Sequence, residues 1–206
     1  LRMAGLPYQV ARGADIRKAP KGKLPVIEDN GKVVPDSGFI VDYLKAAHGD
    51  PLDGRLTPAE RAVALAVRRL MEEHLYWCVL YSRWGVEEHW AITKAAFFSG
   101  LPAPLCWFLP NLVRKTQLKA LYRQGIGRHA RDEIYALGKA DITALADFLA
   151  DKPFFMGEQP TSLDATAYAF LANILGQPIA DPLQAHVRTF ANFGRYCERM
   201  KARYYA

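Results

Sequence analysis

The sequence is poor in cysteine, and its cysteines form no pattern. Cys78, Cys106 and Cys197 are odd in number and lie far apart in a chain of 206 residues. Disulfide-stabilised secreted domains carry closely spaced, even sets of cysteines, and structural zinc sites carry paired ones. The cysteine content therefore argues against a disulfide framework and against a zinc cluster. It favours a reducing compartment, which we expect to be the cytoplasm.

The sequence also lacks a concentration of one charge. The net charge is +6, but 27 Lys and Arg residues are interspersed with 21 Asp and Glu residues. The densest basic cluster is formed by Lys18, Lys21 and Lys23. Nucleic-acid-binding proteins show a basic stripe with interleaved aromatics or a recognisable module. Neither is present, so we expect no nucleic-acid partner.

A long apolar helix without interruption is missing as well. Residues 95–113 carry no charge and have about the length of a bilayer span. Pro102, Pro104 and Pro110 would break a spanning helix, and lipid cannot satisfy the freed backbone groups. The segment is interpreted as buried or interfacial, with membrane contact possible but no crossing.

The first 48 residues predict a small domain that mixes strands and helices. Asn30-Gly31 lies between two apolar pairs and predicts a tight hairpin turn, because Asn and Gly accept positive φ angles. Ser37, following Asp36, is predicted to cap a helix that ends near His48. The predicted order is strand, helix, strand, strand, helix, with the first three elements at Tyr8–Val10, Asp15–Ala19 and Leu24–Glu28.

The remaining residues predict a helical domain. Residues 49–57 are rich in Gly, Pro and Asp and read as a linker, and no strand signal follows them. Thr161 and Asp164 form an Asp variant of the capping box. Predicted helices cover about 58–83, 131–150, 165–175 and 182–204. The short segment Gly125–His129 resembles a phosphate loop only superficially and is interpreted as a turn between helices.

Two short segments of the first domain have the character of ligand-binding sites. Pro25 precedes a strand, where a cis bond would turn the Leu24 backbone outward to pair with a peptide-like ligand; a trans proline entering an edge strand is the alternative. The helix end at Ser37 suits a carboxylate, and Asp36 suits an ammonium group; plain capping is the alternative.

These segments carry a family resemblance. Residues 22–29 (GKLPVIED), Asp36-Ser37 and the apolar positions of the following helix resemble the second half of a glutathione-transferase N-terminal domain. Gly157 and residues 161–165 (TSLDA) resemble the capping box of that superfamily's C-terminal domain. Residues 1–8, 73–77, 81–84 and 125–129 resemble the metaxin and failed-axon-connections branch.

The resemblance implies an α+β thioredoxin-like domain over 1–48, incomplete in this chain, then an all-α glutathione-transferase C-terminal domain over 58–206. It implies that glutathione binds with its cysteinyl part on the Leu24 backbone, beside a cis Pro25. Asp36 and Ser37 would hold the γ-glutamyl end, and Lys23 would attract the glycyl carboxylate. The Ser, Cys or Tyr that stabilises the thiolate is expected upstream of Leu1. A homodimer is a further expectation from the family.

Several aromatic and polar groups have two interpretations. Trp77, Tyr81 and Trp84 are candidates for an apolar second-substrate pocket, with core packing as the alternative. The tripeptides ending at His74 and His89 (both EEH) lack a second histidine at i+4, so no metal is expected. They are interpreted as solvated helix faces or as polar contacts at the edge of the core.

Three functions remain open from the sequence. The first is an enzyme that transfers the glutathione thiolate to an apolar electrophile. The second is a non-catalytic, metaxin-like binding or assembly protein that uses the glutathione cleft or the surface of residues 95–113. The third is a glutathione-dependent reductase or peroxidase, which requires a cysteine upstream of Leu1.

Overall fold

The structure, a computed structural model, describes residues 1–11 and 18–205. The chain divides into two compact units, Leu1–Arg61 and Ala62–Ala206. This division falls inside the first helix of the predicted helical region. Asp53 of the predicted linker belongs to the first unit, where its carboxylate lies 2.5 Å from the Lys45 ammonium group.

The main elements of the first unit, among its described residues, are a β-hairpin and an α-helix. Strands β1 (Val26–Asp29) and β2 (Lys32–Pro35) pair in antiparallel fashion, with Val26 opposite Pro35. The turn between them places Asn30 at φ 50° and Gly31 at φ 80°, as the hairpin prediction requires. Helix α1 (Ser37–His48) follows directly. The thioredoxin-like character of this small two-stranded unit is confirmed.

Two expectations for the first 20 residues have different outcomes. Tyr8–Val10 is not a strand, so that prediction is wrong. A strand needs a neighbour for its backbone groups, and the described sheet contains β1 and β2 alone. Most of the predicted turn at Asp15–Ala19 lies outside the described residues. The chain begins with a short 3-10 helix, Arg2–Ala4.

Helices make up the second unit, as predicted. α2 (Pro58–Arg69) begins before the boundary and leads through a π-helical turn (Leu70–Leu75) into α3 (Tyr76–Trp84). The helices that follow are α4 (Glu87–Phe98), α5 (Leu105–Gln124), α6 (Arg131–Leu149), α7 (Ser162–Gly176), α8 (Pro182–Arg188) and α9 (Ala191–Tyr204). Their core is dense: Phe155, Phe193 and Tyr196 are completely buried.

Two helical predictions differ in detail from the structure. The predicted helix over 58–83 is interrupted by the π-helical turn, and the one over 182–204 is two helices. The second break occurs where the Thr189 hydroxyl donates to the His186 carbonyl at 2.7 Å and so satisfies an end of α8. Gly125–His129 forms a turn with a short 3-10 helix, as expected.

The uncharged segment 95–113 is more exposed than a core element. It covers the end of α4 and the start of α5, where the side chains of Phe97 and Trp107 are 63% and 72% exposed. Burial of the whole segment is therefore excluded, and the interfacial alternative remains. Among the described helices, none combines the length and the apolar character needed to cross a bilayer.

Candidate functional site

The hairpin and the start of α1 meet at one backbone hydrogen bond. The Leu24–Pro25 peptide bond is cis. The Asp36 amide donates to the Pro25 carbonyl oxygen at 3.1 Å, one step beyond the pairing of Val26 with Pro35. The two segments that the sequence singled out as ligand-binding are therefore adjacent, and they form one surface of the first unit.

The N-terminus of α1 is capped by Asp36 and not by Ser37, so the predicted cap was wrong by one residue. The Asp36 Oδ1 atom accepts hydrogen bonds from the amides of Gly38 at 3.0 Å and Phe39 at 3.5 Å. The Asp36 carbonyl accepts from the Ile40 amide at 2.8 Å, which starts the helical ladder. Asp is a strong N-cap because its carboxylate satisfies amides that have no intrahelical acceptor.

This capping leaves one free amide at the helix start. A helix has unpaired amides at its N-cap and its first three positions. The Asp36 amide is used by Pro25, and the amides of Gly38 and Phe39 are used by the Asp36 side chain. Within the described chain, the amide and hydroxyl of exposed Ser37 have no hydrogen-bond partner. The site therefore offers two neighbouring donors at the positive end of a helix.

Acceptor capacity lies next to these donors. Among the described contacts, the Asp36 Oδ2 atom has no partner, because both capping bonds go to Oδ1. Asp36 has φ 80°, a conformation that is costly for a residue other than glycine. The bond from its amide to Pro25 and the bonds to its carboxylate hold it there. The carboxylate is thus fixed in place with one oxygen available.

The backbone of Leu24 contributes further free groups. Neither its amide nor its carbonyl is hydrogen-bonded to a described residue, and its side chain is 54% exposed. Lys23, beside it, is exposed and has no acidic partner in the described chain, whereas the Lys21 ammonium lies 4.1 Å from the centre of the Phe39 ring. The structure therefore brings Leu24, Pro25, Asp36 and Ser37 to one surface, with Lys23 at the neighbouring position in the chain.

A polar cluster that the sequence did not reveal fixes α1 to the hairpin. The Asp29 Oδ2 atom accepts from the Tyr43 hydroxyl at 2.9 Å and lies 2.7 Å from His48 Nε2. These hydrogen bonds, the one with His48 first, lower the pKa of the Asp29 carboxyl. Asp29 is the last residue of β1, and its partners are on α1. The cluster positions the helix whose first turn carries Ser37.

The candidate second-substrate residues contact three different aromatic neighbours within the second unit. Trp77 packs edge-on against Tyr76, and Tyr81 packs against Tyr135. Trp84 is buried beside Trp90, with ring centres 5.5 Å apart. Trp84 therefore fits the core-packing alternative. The pocket role of Trp77, Tyr81 and Trp84 stays a prediction.

A Ser, a His and an Asp also meet inside the second unit, but not in catalytic order. The Ser82 hydroxyl donates to Asp181, and His89 Nδ1 lies 2.8 Å from the Ser82 carbonyl oxygen. In a hydrolytic triad the imidazole stands between the hydroxyl and the carboxylate. Here the carboxylate contacts the hydroxyl directly and caps α8 through the Gln184 amide at 2.7 Å. The group is a buried structural network.

His74, the other histidine of the repeated tripeptide, has a different partner. Its Nδ1 atom lies 2.6 Å from Asp141 Oδ2, and the buried thiol of Cys78 lies one turn further along the chain. The spacing from His74 to Cys78 was visible in the sequence as i and i+4. Asp141 could not be found that way, because it lies 67 residues further along the chain.

Family models match both parts of the chain. The model described as "Glutathione S-transferase N-terminal domain" matches residues 1–90. The model described as "Glutathione S-transferase, C-terminal domain" matches residues 138–200.

Three curated proteins illustrate the range of relatives. The chain is 36% identical to isoprene-epoxide–glutathione S-transferase of Rhodococcus sp., over 90% of this chain and 79% of that protein. It is 34% identical to Failed axon connections of Drosophila melanogaster, over 91% of this chain and 47% of that protein. It is 30% identical to human metaxin-2, over 100% of this chain and 79% of that protein. The chain thus spans about half of Failed axon connections.

Solved structures agree on the fold. The β-etherase LigF from Sphingobium sp. superposes with a TM-score of 0.64 at 20% identity, over 90% of this chain and 77% of that chain. The Bombyx mori glutathione transferase superposes with a TM-score of 0.50 at 19% identity, over 89% of this chain and 65% of that chain. From its domain matches, its relatives and its fold together, the chain belongs to the glutathione S-transferase family, with metaxins and Failed axon connections among its relatives.

Proposed function

We propose that the chain binds glutathione at the surface formed by Leu24, Pro25, Asp36 and Ser37 and transfers its thiolate to an apolar electrophile. The observation that carries this proposal is the hydrogen bond from the Asp36 amide to the Pro25 carbonyl. It places an extended backbone edge beside a helix N-terminus. A tripeptide with a charged amino-acid end needs both features.

Each part of glutathione has a matching group. The γ-glutamyl carboxylate accepts hydrogen bonds from the amide and hydroxyl of Ser37, and the ammonium group contacts the free Asp36 Oδ2. The cysteinyl backbone pairs with the amide and carbonyl of Leu24 as an added strand does. Lys23 attracts the glycyl carboxylate across solvent.

One relative is named for its substrate, and that name indicates the class of electrophile. A small apolar epoxide is the proposed electrophile, because the chain is 36% identical to an isoprene-epoxide–glutathione S-transferase. The thiolate sulfur forms a bond to a ring carbon, the carbon–oxygen bond breaks, and the released alkoxide takes a proton from water. No oxidant or reductant is consumed, which separates this reaction from the reductase and peroxidase alternative.

Isothermal titration with glutathione tests the binding site. We expect Ser37→Ala to weaken binding by about tenfold, because it removes one hydrogen bond to a charged group. Asp36→Asn keeps the cap but removes the charge, so it should weaken binding by a similar factor. Asp42→Asn, on the exposed side of the same helix, is the matched control. Equal binding by all four proteins would place the site elsewhere.

A non-catalytic role is the second candidate, and one surface favours it. Phe97, Trp107, Phe108 and Leu112 are all more than half exposed. Lys115, Lys119 and Arg123 continue the exposed face of α5 towards its C-terminus. Apolar side chains followed by basic ones are typical of a helix that lies on an anionic bilayer. The similarity to human metaxin-2 is consistent with the metaxin-like alternative that the sequence left open.

Vesicle sedimentation and product analysis separate the two candidates. A binding protein would sediment with vesicles of mixed neutral and anionic lipid, would lose this on Trp107→Ala, and would keep it on Tyr76→Ala, which changes an exposed aromatic of another helix. A transferase would form a glutathione conjugate from a small epoxide. Glutathione binding without any conjugate would refute the catalytic proposal and leave the binding role.

A further inference from the structure

We propose that His74, Cys78 and Asp141 form a binding site for a divalent transition metal, with Zn²⁺ as the best match. The ligand atoms of these three side chains all lie within 4.8 Å of one another. This group goes beyond the proposed glutathione chemistry, since all three residues belong to the second unit. The sequence predicted no metal because a second histidine at i+4 is absent; Cys78 occupies that position.

The distances between the three ligand atoms are close to those of a zinc site, so only small side-chain movements are needed to bind a metal. A tetrahedral zinc ion has bonds of about 2.0–2.3 Å, so its ligand atoms lie roughly 3.3–3.8 Å apart. The contact from His74 Nδ1 to Asp141 Oδ2 is 2.6 Å, and the group as a whole spans at most 4.8 Å. The His–Asp pair must therefore widen by roughly 1 Å and the thiol must approach by a similar amount. Side-chain rotation supplies movements of this size.

The fold brings the three residues together through two local features. His74 lies in the π-helical turn Leu70–Leu75, and such turns occur frequently at functional sites. Cys78 follows on α3, and Asp141 comes from α6. α6 approaches α3 closely at Gly138, where an added Cβ would lie 3.0 Å from the Cys78 Cβ atom. Asp141 is one helical turn beyond this glycine, which places its carboxylate beside the pair.

The donor set is the kind that zinc accepts. Thiolate, imidazole and carboxylate are the three side-chain ligands of Zn²⁺, and a soft thiolate disfavours Mg²⁺ and Ca²⁺. Three protein ligands leave a fourth position for water, as in sites that bind exchangeable groups. Access is available from one side, because the His74 side chain is 39% exposed while that of Asp141 is 9% exposed and Cys78 is completely buried.

A purely structural role explains only two of these three side chains. The hydrogen bond between His74 and Asp141 accounts for those two side chains on its own. It does not account for the buried Cys78 thiol, whose sulfur lies within 4.8 Å of the ligand atoms of both partners. A cation accounts for all three groups, because it replaces the thiol proton and is attracted by the carboxylate. Binding releases that proton to solvent.

Cobalt substitution tests the site directly. The full chain is freed of metal with a chelator and titrated with Co²⁺, which gives a charge-transfer band when a thiolate coordinates it. We expect one Co²⁺ per chain and a band that Cys78→Ser abolishes. Cys197→Ser changes a half-buried cysteine on α9 and should keep the band. Absence of a band in the unaltered chain, or a band that survives in Cys78→Ser, would overturn the proposal.

A second measurement covers the case in which Cys78→Ser fails to fold. Zn²⁺ should raise the thermal midpoint of the unaltered chain, because a ligand that binds only the folded state stabilises it. Asp141→Asn should weaken zinc binding at least about tenfold and reduce this rise. Asp147→Asn lies exposed on the same helix and should leave the rise unchanged. An equal rise in Asp141→Asn, or none in the unaltered chain, would refute the site.

Discussion

The two units use their polar groups in opposite ways, and two helix-capping aspartates show the difference. Asp164 of the second unit is completely buried, and its carboxylate accepts from Phe155 and from the amide and hydroxyl of Thr161 at 2.7–2.9 Å. Asp36 of the first unit is exposed and uses only Oδ1 for capping. A carboxylate with every bond satisfied stabilises the fold, whereas one with a free oxygen is available to a ligand.

The same contrast extends to the surroundings of each aspartate. The second unit surrounds Asp164 with completely buried side chains such as Phe155 and Tyr196, and the Tyr196 hydroxyl donates to the Asp164 carbonyl at 3.1 Å. In the first unit, the buried apolar side chains are Val34, Ile40 and Leu56 among the described residues. The first unit is therefore held largely by local backbone and side-chain bonds near its exposed site.

Asp164→Ala is the variant for which we expect the largest loss of stability. It leaves the buried amides of Phe155 and Thr161 without an acceptor, so we expect a loss of about 3–5 kcal/mol in the free energy of unfolding, or failure to fold. Chemical unfolding followed by circular dichroism measures it. Asp147→Ala, exposed on α6, should stay within about 0.5 kcal/mol of the unaltered chain. A cost below about 1 kcal/mol for Asp164→Ala would contradict the structural role.

A matched pair of glycines tests packing inside the second unit. An alanine Cβ at Gly138 would lie 2.8 Å from Leu183 Cδ2 and 3.0 Å from Cys78 Cβ. Overpacking of this kind should cost about 1–3 kcal/mol. At Gly194, in α9, a Cβ meets nothing within 4 Å, so Gly194→Ala should stabilise by about 0.5–1 kcal/mol. Thermal unfolding of both variants measures the two changes in stability. An equal change in the two variants would show that α6 does not approach α3 closely.

Substitution of Asp36 separates capping from ligand binding. Asp36→Ala removes the cap of α1 and should cost about 1–2 kcal/mol. Asp36→Asn keeps an oxygen for the Gly38 amide and tolerates the positive φ, so stability should change by less than about 0.5 kcal/mol while glutathione binding weakens. Chemical unfolding and calorimetry on the same samples give both numbers. A stable Asp36→Asn that binds glutathione normally would exclude the ammonium contact.

The smallest expected effect concerns Asp29 and pH. Hydrogen bonds from His48 and Tyr43 lower the pKa of Asp29 in the folded chain relative to the unfolded chain. The unfolded state then binds the proton more readily, so this stabilisation is present above the unfolded pKa and is lost as pH falls through the folded one. The thermal midpoint should fall on acidification from about pH 6 to about pH 3. The fall should be smaller in Asp29→Asn; an identical fall would show that Asp29 is not involved.

Local rules explain what the sequence predicted well. The hairpin at Asn30-Gly31, the helix after Asp36 and the capping box of Thr161 with Asp164 each depend on residues a few positions apart. The surface shared by Leu24 and Ser37 followed from the resemblance, and the structure places the two segments side by side through the bond between Asp36 and Pro25.

Contacts between distant residues could not be predicted. The bond from Tyr43 to Asp29 and the bond from His74 to Asp141 join residues 14 and 67 positions apart. Hydrophobic periodicity predicted one helix over 58–83 because the π-helical turn lies inside a continuous helical run, with helical residues on both sides of it. The error at Tyr8–Val10 has a related cause, since β-propensity does not report whether a partner strand exists.

Amide chemical shifts during a glutathione titration test the central claim most directly. In the labelled chain, saturating glutathione should move the amide signals of Leu24 and Ser37, because those groups gain hydrogen bonds. The amide of Gly38, already bonded to Asp36, should keep its slow exchange with solvent. Large shifts confined to the second unit, or no shifts at all, would contradict the proposed site.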